Sequence, residues 1–305
     1  MSVFVTAPKK SSNITRRNRL TAYAFLLPNF IGFLTFTLVP IIVAFGLSFY
    51  KWDSANPAVF VGLKNFFKLF RDETFQISLV NTIYFSAVTV PFTIIVALFL
   101  AVLLNQKIKG IQFFRTLYFF PYITSMVAVA VVWLMLLQPT MGPVNGFLKW
   151  IGIQNPPGWT ASTVWAMPAV ILVSVWRQVG YYMVIYLAGL QNIPEYLYEA
   201  ATIDGANLWQ KFRYVTLPML TPATFLNTLL LVIGSFKIFD QVYIMTDGGP
   251  GRATNTLVYC IYNQAFWFFN FGYASMVAMV LFIMVLVLTI IQFKYEDKLV
   301  HYESL

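Results

Sequence analysis

Six continuous apolar runs, each of twenty residues or more, leave this chain few ways to fold in water: Thr21 to Tyr50, Ser78 to Leu104, Leu117 to Leu137, Val164 to Leu190, Met219 to Met245 and Tyr273 to Phe293. Runs of this length match the hydrocarbon thickness of a bilayer when helical. Backbone groups find no water there, so only helices and closed barrels span it, and barrel strands would be about ten residues of alternating character. These runs do not alternate. The expected fold is an all-α membrane protein with six transmembrane helices, in keeping with 59% hydrophobic and only 10% charged residues. The first run follows a polar stretch, is long, and ends without a small-residue cleavage pattern, so it is expected to stay in the membrane rather than leave as a signal peptide. The chain then divides into an N-terminal tail at 1–20, a membrane domain at 21–300 and a short tail at 301–305.

Lys and Arg set the expected orientation. With the N terminus inside, the inner loops hold twelve: Lys9, Lys10, Arg16, Arg17, Arg19, Lys107, Lys109, Arg115, Lys211, Arg213, Lys294 and Lys298. The outer loops hold six: Lys51, Lys64, Lys68, Arg71, Lys149 and Arg252. This excess predicts both termini in the cytoplasm. The net charge of +9 is spread over membrane boundaries without an aromatic-interleaved cluster, which points to topology and anionic lipid rather than nucleic acid.

Several chemistries lack their residues. Cys260 is the only cysteine, so no intramolecular disulfide forms, and it reads as a buried thiol. The one histidine, His301, lies in the tail, which leaves no histidine-based metal site or catalytic triad. No glycine-rich loop followed by Lys and Ser or Thr is present, so the chain has no phosphate cradle for ATP. No set of nucleophile, base or metal ligands suggests a membrane enzyme.

Against this background a polar island between the fourth and fifth runs stands out, reading EYLYEAATIDGANLWQKFRYVTLP from Glu195 to Pro218. Pro194 suits a helix start, where its missing N–H is not needed, and Glu195 and Glu199, four apart, favour the positive end of the helix dipole. Gly205 can take the left-handed conformation that ends a helix, and Asn207 with Gln210 resembles a capping box opening the next. The prediction is helix, glycine bend, helix, on the cytoplasmic side. Among the outer segments, VGLKNFFKLFRDETF is amphipathic, with Phe66, Phe67, Leu69 and Phe70 expected at the interface. The third loop, from Gln138 to Trp159, is expected to form turns at headgroup level, and Asp247 to Gly251 a tight turn.

The island closely resembles the loop that marks permease subunits of bacterial ATP-binding-cassette importers: Glu199, Ala200, Ala201, three residues, Gly205, nine residues, Val215, one residue, Leu217, Pro218. Val215 stands where Ile is commoner. The Trp176 to Gly180 segment, Ala188 to Pro194, Asp204 to Ala206 and Thr246 to Pro250 resemble the carbohydrate branch of that family. The resemblance implies a subunit of the bacterial cytoplasmic membrane that pairs with a second permease, two cytoplasmic ATPase subunits that bind ATP and Mg, and an extracytoplasmic solute-binding protein. It further implies a coupling loop at 191–218 in which Glu199, Ala200, Ala201, Asp204, Gly205 and Pro218 meet an ATPase, Leu208, Phe212 and Val215 brace the loop on its own subunit, and Pro218 starts the fifth helix.

The substrate path leaves weaker marks. A charge inside a membrane helix costs about 2.5–3.5 kcal/mol on insertion scales, so Arg177, Lys237 and Asp240 must face a cavity or a partner. Lys237 and Asp240, three apart on the predicted fifth helix, either neutralise each other or line an outward vestibule, and Arg177 either forms a scaffold ion pair or contacts an anion. Gln178, Tyr181, Asn227, Gln241 and Asn263 are polar positions suited to sugar hydroxyls. Pro28, Pro40, Pro91, Pro121, Pro168 and Pro222 lie within runs, as hinges or as static kinks. Two alternatives remain: a glycerol phosphate permease of the same family, and an ion-coupled secondary transporter, which would need mid-membrane coupling carboxylates or inverted repeats that are not evident.

Overall fold

The computed structural model describes residues 12–106 and 109–299; Lys9, Lys10, Lys107, His301 and the outer parts of both tails lie outside them. The first span, Thr21–Leu47, joins α1 (Ser12–Phe33) to α2 (Val39–Leu47) through a π-helical turn at Leu34–Leu38. That wide turn immediately precedes Pro40, which cannot donate to the ladder. A two-stranded antiparallel ribbon follows, β1 (Tyr50–Lys51) with β2 (Val59–Phe60), and then α3 (Lys64–Leu69). Helix α4 (Glu73–Leu104) starts on Asp72, whose carboxylate accepts the Thr74 N–H at 2.9 Å, a standard N-cap. Its last turn is closed by Arg115 of α5 (Ile111–Ile123), which donates to the Leu104 carbonyl at 2.7 Å.

The third and fifth runs are not straight. Helix α5 meets α6 (Met126–Leu136) at 98°, with the break at Thr124 and Ser125 just after Pro121. The connection to the fourth span carries α7 (Pro143–Trp150), an element the expected turns did not include; its Asn145 is buried, holding the Pro139 and Pro157 carbonyls at 3.0 Å and accepting the Trp159 indole N–H. Helix α8 (Ala166–Gln191) is the fourth span. After it come α9 (Glu195–Ile203), α10 (Leu208–Lys211), a π turn at Phe212–Thr216 and α11 (Leu217–Met219). The Leu208–Met219 stretch bends by 62° into α12 (Thr221–Phe236).

The fifth run, expected as one helix to Met245, instead stops at Phe236. Gly234 and Ser235, a pair that weakens a helix, precede a break at Lys237, Ile238 and Phe239. A separate α13 (Asp240–Met245) resumes the chain, followed by α14 (Leu257–Tyr262), a π turn at Asn263–Trp267 and the last span within α15 (Phe271–Leu299). Among the described residues, four helices are thus long and apolar enough to cross a membrane, and up to six spans result if each bent pair counts as one.

Helix α8 is the central element, contributing to three of the four hydrophobic clusters: with α4 and α12, with α4, α13 and α14, and with α6 and α13. The fourth seats Leu69 of α3 against Phe75, Tyr273 and Met276, so Leu69 is buried beneath the last span rather than at the interface as expected. The buried face of α4 carries Phe75, Phe85, Val90 and Leu104 but is otherwise small, with Ser78, Thr82, Ser86, Thr89, Thr93, Ala97 and Ala101 letting neighbouring backbones come close where lipid supplies no hydrophobic drive between helices. Hydroxyls on that face add polar links: Ser86 with Ser235 at 2.6 Å, and Thr82 accepting the Leu257 N–H at 2.9 Å.

Gly180 sets the α5–α8 approach. A Cβ there would overlap the Tyr118 carbonyl and reach 2.9 Å from Phe119 Cα, whereas one at Gly32 of α1 would meet nothing within 4 Å. Gly180→Ala should therefore lower the melting temperature of the purified protein, by overpacking of about 1–3 kcal/mol. Gly32→Ala, measured in the same thermal scan, should leave it unchanged or raise it.

Candidate functional site

The polar island folds as a bent helix pair held by local hydrogen bonds. Asp204 is the C-cap of α9 and Gly205 follows at φ +77°, the left-handed region a side chain resists. The Ala206 N–H returns to the Ala201 carbonyl at 2.9 Å and the Gly205 N–H to the Thr202 carbonyl at 3.0 Å, the pairing of a Schellman motif. The next helix opens with the reciprocal capping box: Asn207 Oδ1 accepts the Gln210 N–H at 2.9 Å, and Gln210 Oε1 accepts the Asn207 N–H at 2.8 Å. Across the bend, Lys211 Nζ donates to Thr202 Oγ1 at 2.8 Å, and the Tyr198 and Thr216 hydroxyls meet at 3.0 Å.

One side of this pair is anchored. Ile193, Leu197, Tyr198 and Val215 join the cluster built by α4, α8 and α12. The other side is open. Glu199, Ala200, Asp204 and Gly205 are exposed, Ala201 is half-buried, and a Cβ at Gly205 would meet nothing within 4 Å. Leu208, expected to brace the loop, is instead 86% exposed, as is Ile203, and Trp209 is 68% exposed. Phe212 is half-buried against the Trp209 ring, 5.7 Å away. Pro218 belongs to the short α11; the membrane helix proper begins at Thr221, because the backbone turns at Leu220.

The predicted polar positions scatter by role. Arg177 pairs with no carboxylate among the described residues. Its Nη2 donates to the Tyr122 and Thr124 carbonyls, both at 3.2 Å, and its guanidinium lies 5.5 Å from the Tyr122 ring centre. These are carbonyls at the 98° break, so Arg177 supplies donors that a continuing helix would have provided. Tyr181, one turn on, stacks on Tyr122 at 4.5 Å, with Gln178 half-buried beside it in sequence. Asn227 is buried and donates to the Tyr182 carbonyl at 3.3 Å; Gln241 is buried and donates to Ser174 Oγ at 3.3 Å. Both tie α12 and α13 to α8.

Lys237 and Asp240 do not form the neutralising pair expected of a continuous helix. They flank the break, both exposed, and the ion pair found among the described residues is Arg252 with Glu73 at 3.3 Å. Asn263 opens a π turn and is half-buried. Beside these lies a group that residue-by-residue reading of polar positions passed over: Phe239 stacks on Tyr243 at 5.4 Å, both contact Tyr262 at 5.1 and 5.4 Å, and Tyr262 contacts Phe266 at 5.4 Å. The i, i+4 spacing of Phe239 with Tyr243 and of Tyr262 with Phe266 was the available signal.

The chain matches the profile of the family described as the binding-protein-dependent transport system inner membrane component over residues 90–299. It is 41% identical over 302 residues to a probable ABC transporter permease of Bacillus subtilis, YesP, covering 98% of this chain and 97% of that one. It is 38% identical to the lactose transport system permease LacF of Rhizobium radiobacter, over 94% and 97% of the two chains. It is 36% identical to the sn-glycerol-3-phosphate transport system permease UgpA of Yersinia pestis, over 80% and 82%. Among solved structures, a chain of a bacterial ABC transporter involved in import of the acidic polysaccharide alginate shares the fold with a TM-score of 0.81 at 24% identity, over 93% of this chain and 98% of that one.

Removing the Arg177 donors should cost about 1–3 kcal/mol, the usual penalty for buried carbonyls left unpaired. Arg177→Gln is expected to lower the melting temperature and to expose the Ile123–Met126 junction to limited proteolysis; Arg177→Lys should fall between it and the parent. Unchanged stability with lost transport would instead place Arg177 in the substrate path.

Proposed function

Because the chain belongs to the family of binding-protein-dependent transport system inner membrane components, we propose that it lines half of a translocation pathway for a carbohydrate, an oligosaccharide by preference, and that ATP hydrolysis in separate subunits opens this pathway to each side in turn. The observation that carries this reading is the open side of the bent helix pair. A rigid element with exposed Ile203, Leu208 and Trp209 beside the acidic Glu199 and Asp204 is what a subunit needs when it must receive motion from a protein it does not contain. In this reading the bend faces the cytoplasm, where the excess of Lys and Arg puts it, and docks on one of two ATPase subunits that bind ATP and Mg. A second permease completes the pathway, and a solute-binding protein delivers cargo from outside.

The bend is joined to the bundle so that a push on it travels. Only Asn192 to Pro194 separate it from α8, and Tyr198 and Val215 tie it to the cluster shared with α4 and α12. The two bent spans and the break at Lys237 to Phe239 offer the places where helices change direction. Around that break, the aromatic group of Phe239, Tyr243, Tyr262 and Phe266 provides faces for sugar rings and Lys237, Asp240 and Asn263 the polar atoms for hydroxyls, with Gln178 a further polar position on α8. Asn227 and Gln241 each donate one hydrogen bond to α8, and the Asn227 Oδ1 stays buried without a partner. Glycerol phosphate remains a second cargo reading, favoured by the likeness to UgpA. Arg177 gives its Nη2 to carbonyls while its buried Nε has no partner, so Lys237 and Arg177 are both cations for that phosphate.

Two outcomes test this. In the reconstituted importer, Gly205→Arg should keep ATP hydrolysis but reduce uptake at least about ten-fold, while Gly205→Asn, which tolerates the left-handed backbone, should transport at near parental rate. Normal transport by the arginine variant would overturn the coupling assignment. In competition uptake, neutral oligosaccharides should exclude labelled sugar, and Phe239→Ala should raise KM several-fold; preference for glycerol phosphate would replace the sugar reading.

A further inference from the structure

Three spans surface at one place opposite the bend. The first ends at Leu47, the second starts at Glu73 and the last starts at Phe271. The residues around these ends enclose a cavity of about 240 Å³ lined by Lys51, Trp52, Lys64, Asn65, Lys68 and Tyr273, with Gly272 and Asn270 at its edge. A wider hollow of about 740 Å³ lies against the same α3 and shares Lys64 and Lys68, completed by Phe67, Phe70 and Arg71.

No carboxylate lines either space. The neighbouring Asp72 stands behind the wall, accepting the hydroxyl of the lining Tyr273 at 2.6 Å and the Thr74 N–H at 2.9 Å. Lys68 Nζ sits 4.1 Å above the Tyr273 ring centre, which fixes its position through the ring's negative face while leaving its N–H groups available. Asn65 pins the wall, donating to the Ser48 and Tyr50 carbonyls at 2.8 and 3.0 Å. Lys51 of the ribbon, Lys64 and Lys68 of α3, and Arg71 just past that helix therefore gather without a carboxylate among the lining residues. Phe67 on that helix and Phe70 just past its end are exposed. Like charges held together repel, and a counter-anion relieves them.

Depth identifies the anion. A cavity walled by the first residues beyond three spans lies at the level of lipid headgroups, and lysines beside exposed aromatic rings form the pattern of an interfacial element that meets anionic lipid. We propose that this junction binds an anionic phospholipid, with the phosphodiester between Lys51, Lys64 and Lys68 and an acyl chain along Phe67 and Phe70. A bound lipid would tie the first, second and last spans at one point. The inference does not depend on the cargo or on the coupling role of the bend.

The purified full-length protein, titrated with phosphatidylglycerol or phosphatidylcholine and read by native mass spectrometry, tests it. Phosphatidylglycerol should be retained at least about five-fold better, since choline adds a cation that the lysines repel. The Lys64→Gln/Lys68→Gln variant should lose this preference at an unchanged melting temperature, Lys64→Arg/Lys68→Arg should keep it, and Lys149→Gln, on another outer loop, should not alter it. Equal retention of the two lipids, or parental retention by the double glutamine variant, overturns the proposal. Saturable binding of inorganic phosphate without lipid selectivity also overturns it, in favour of a free-anion site.

Discussion

Every change of direction inside the membrane must be satisfied by the protein itself, because no water is there to hydrogen-bond a freed carbonyl. The architecture depends on this constraint. Arg177 donates to Tyr122 and Thr124 where the third run turns. Thr256 Oγ1 donates to the Ile238 carbonyl at 3.3 Å inside the break after α12, and at the loop end of α4 Arg115 does the same for Leu104. Asn227 reaches the Tyr182 carbonyl from a neighbouring helix. Arg177 and Thr256 are thus accounted for as donors that serve bends in the bundle.

The same constraint explains where stiffness and openness sit. Helix α8 is packed on several sides and carries Gly180, whose missing side chain lets α5 close on it, so the centre of the bundle does not yield easily. The helix pair after α8 is held by a Schellman turn, a capping box and a lysine bridge, all of them local. Local bonds keep its shape independent of what docks on it. The break at Lys237 to Phe239 is the opposite case, a place where the ladder stops and charged and aromatic residues face outward together.

Much of this was readable from the sequence where the signal is local. The helix start at Glu195, the glycine bend and the Asn207–Gln210 box follow from residue types within four positions, and the fourth and last spans sit within a few residues of their apolar runs. What escaped depends on partners distant in sequence. Hydropathy treats Met219 to Met245 as one run, since Gly234 and Ser235 do not interrupt an apolar average, yet the break survives because Thr256 satisfies it. Arg177 was read as seeking an opposite charge, while its partners are carbonyls some fifty-five residues earlier in the chain. Leu208 was read as inward because the pattern cannot say which side of a short helix is covered; the fold leaves it bare.

The first span, finally, contributes no buried residue to any of the four clusters, and its most apolar window is wholly unburied within this chain. It touches the rest chiefly where α2 meets α15. Side-chain shape along most of that helix is then under little selection from this chain's own packing. Length and greasiness suffice, so another hydrophobic helix of the same length could replace this segment without disturbing the bundle's interior.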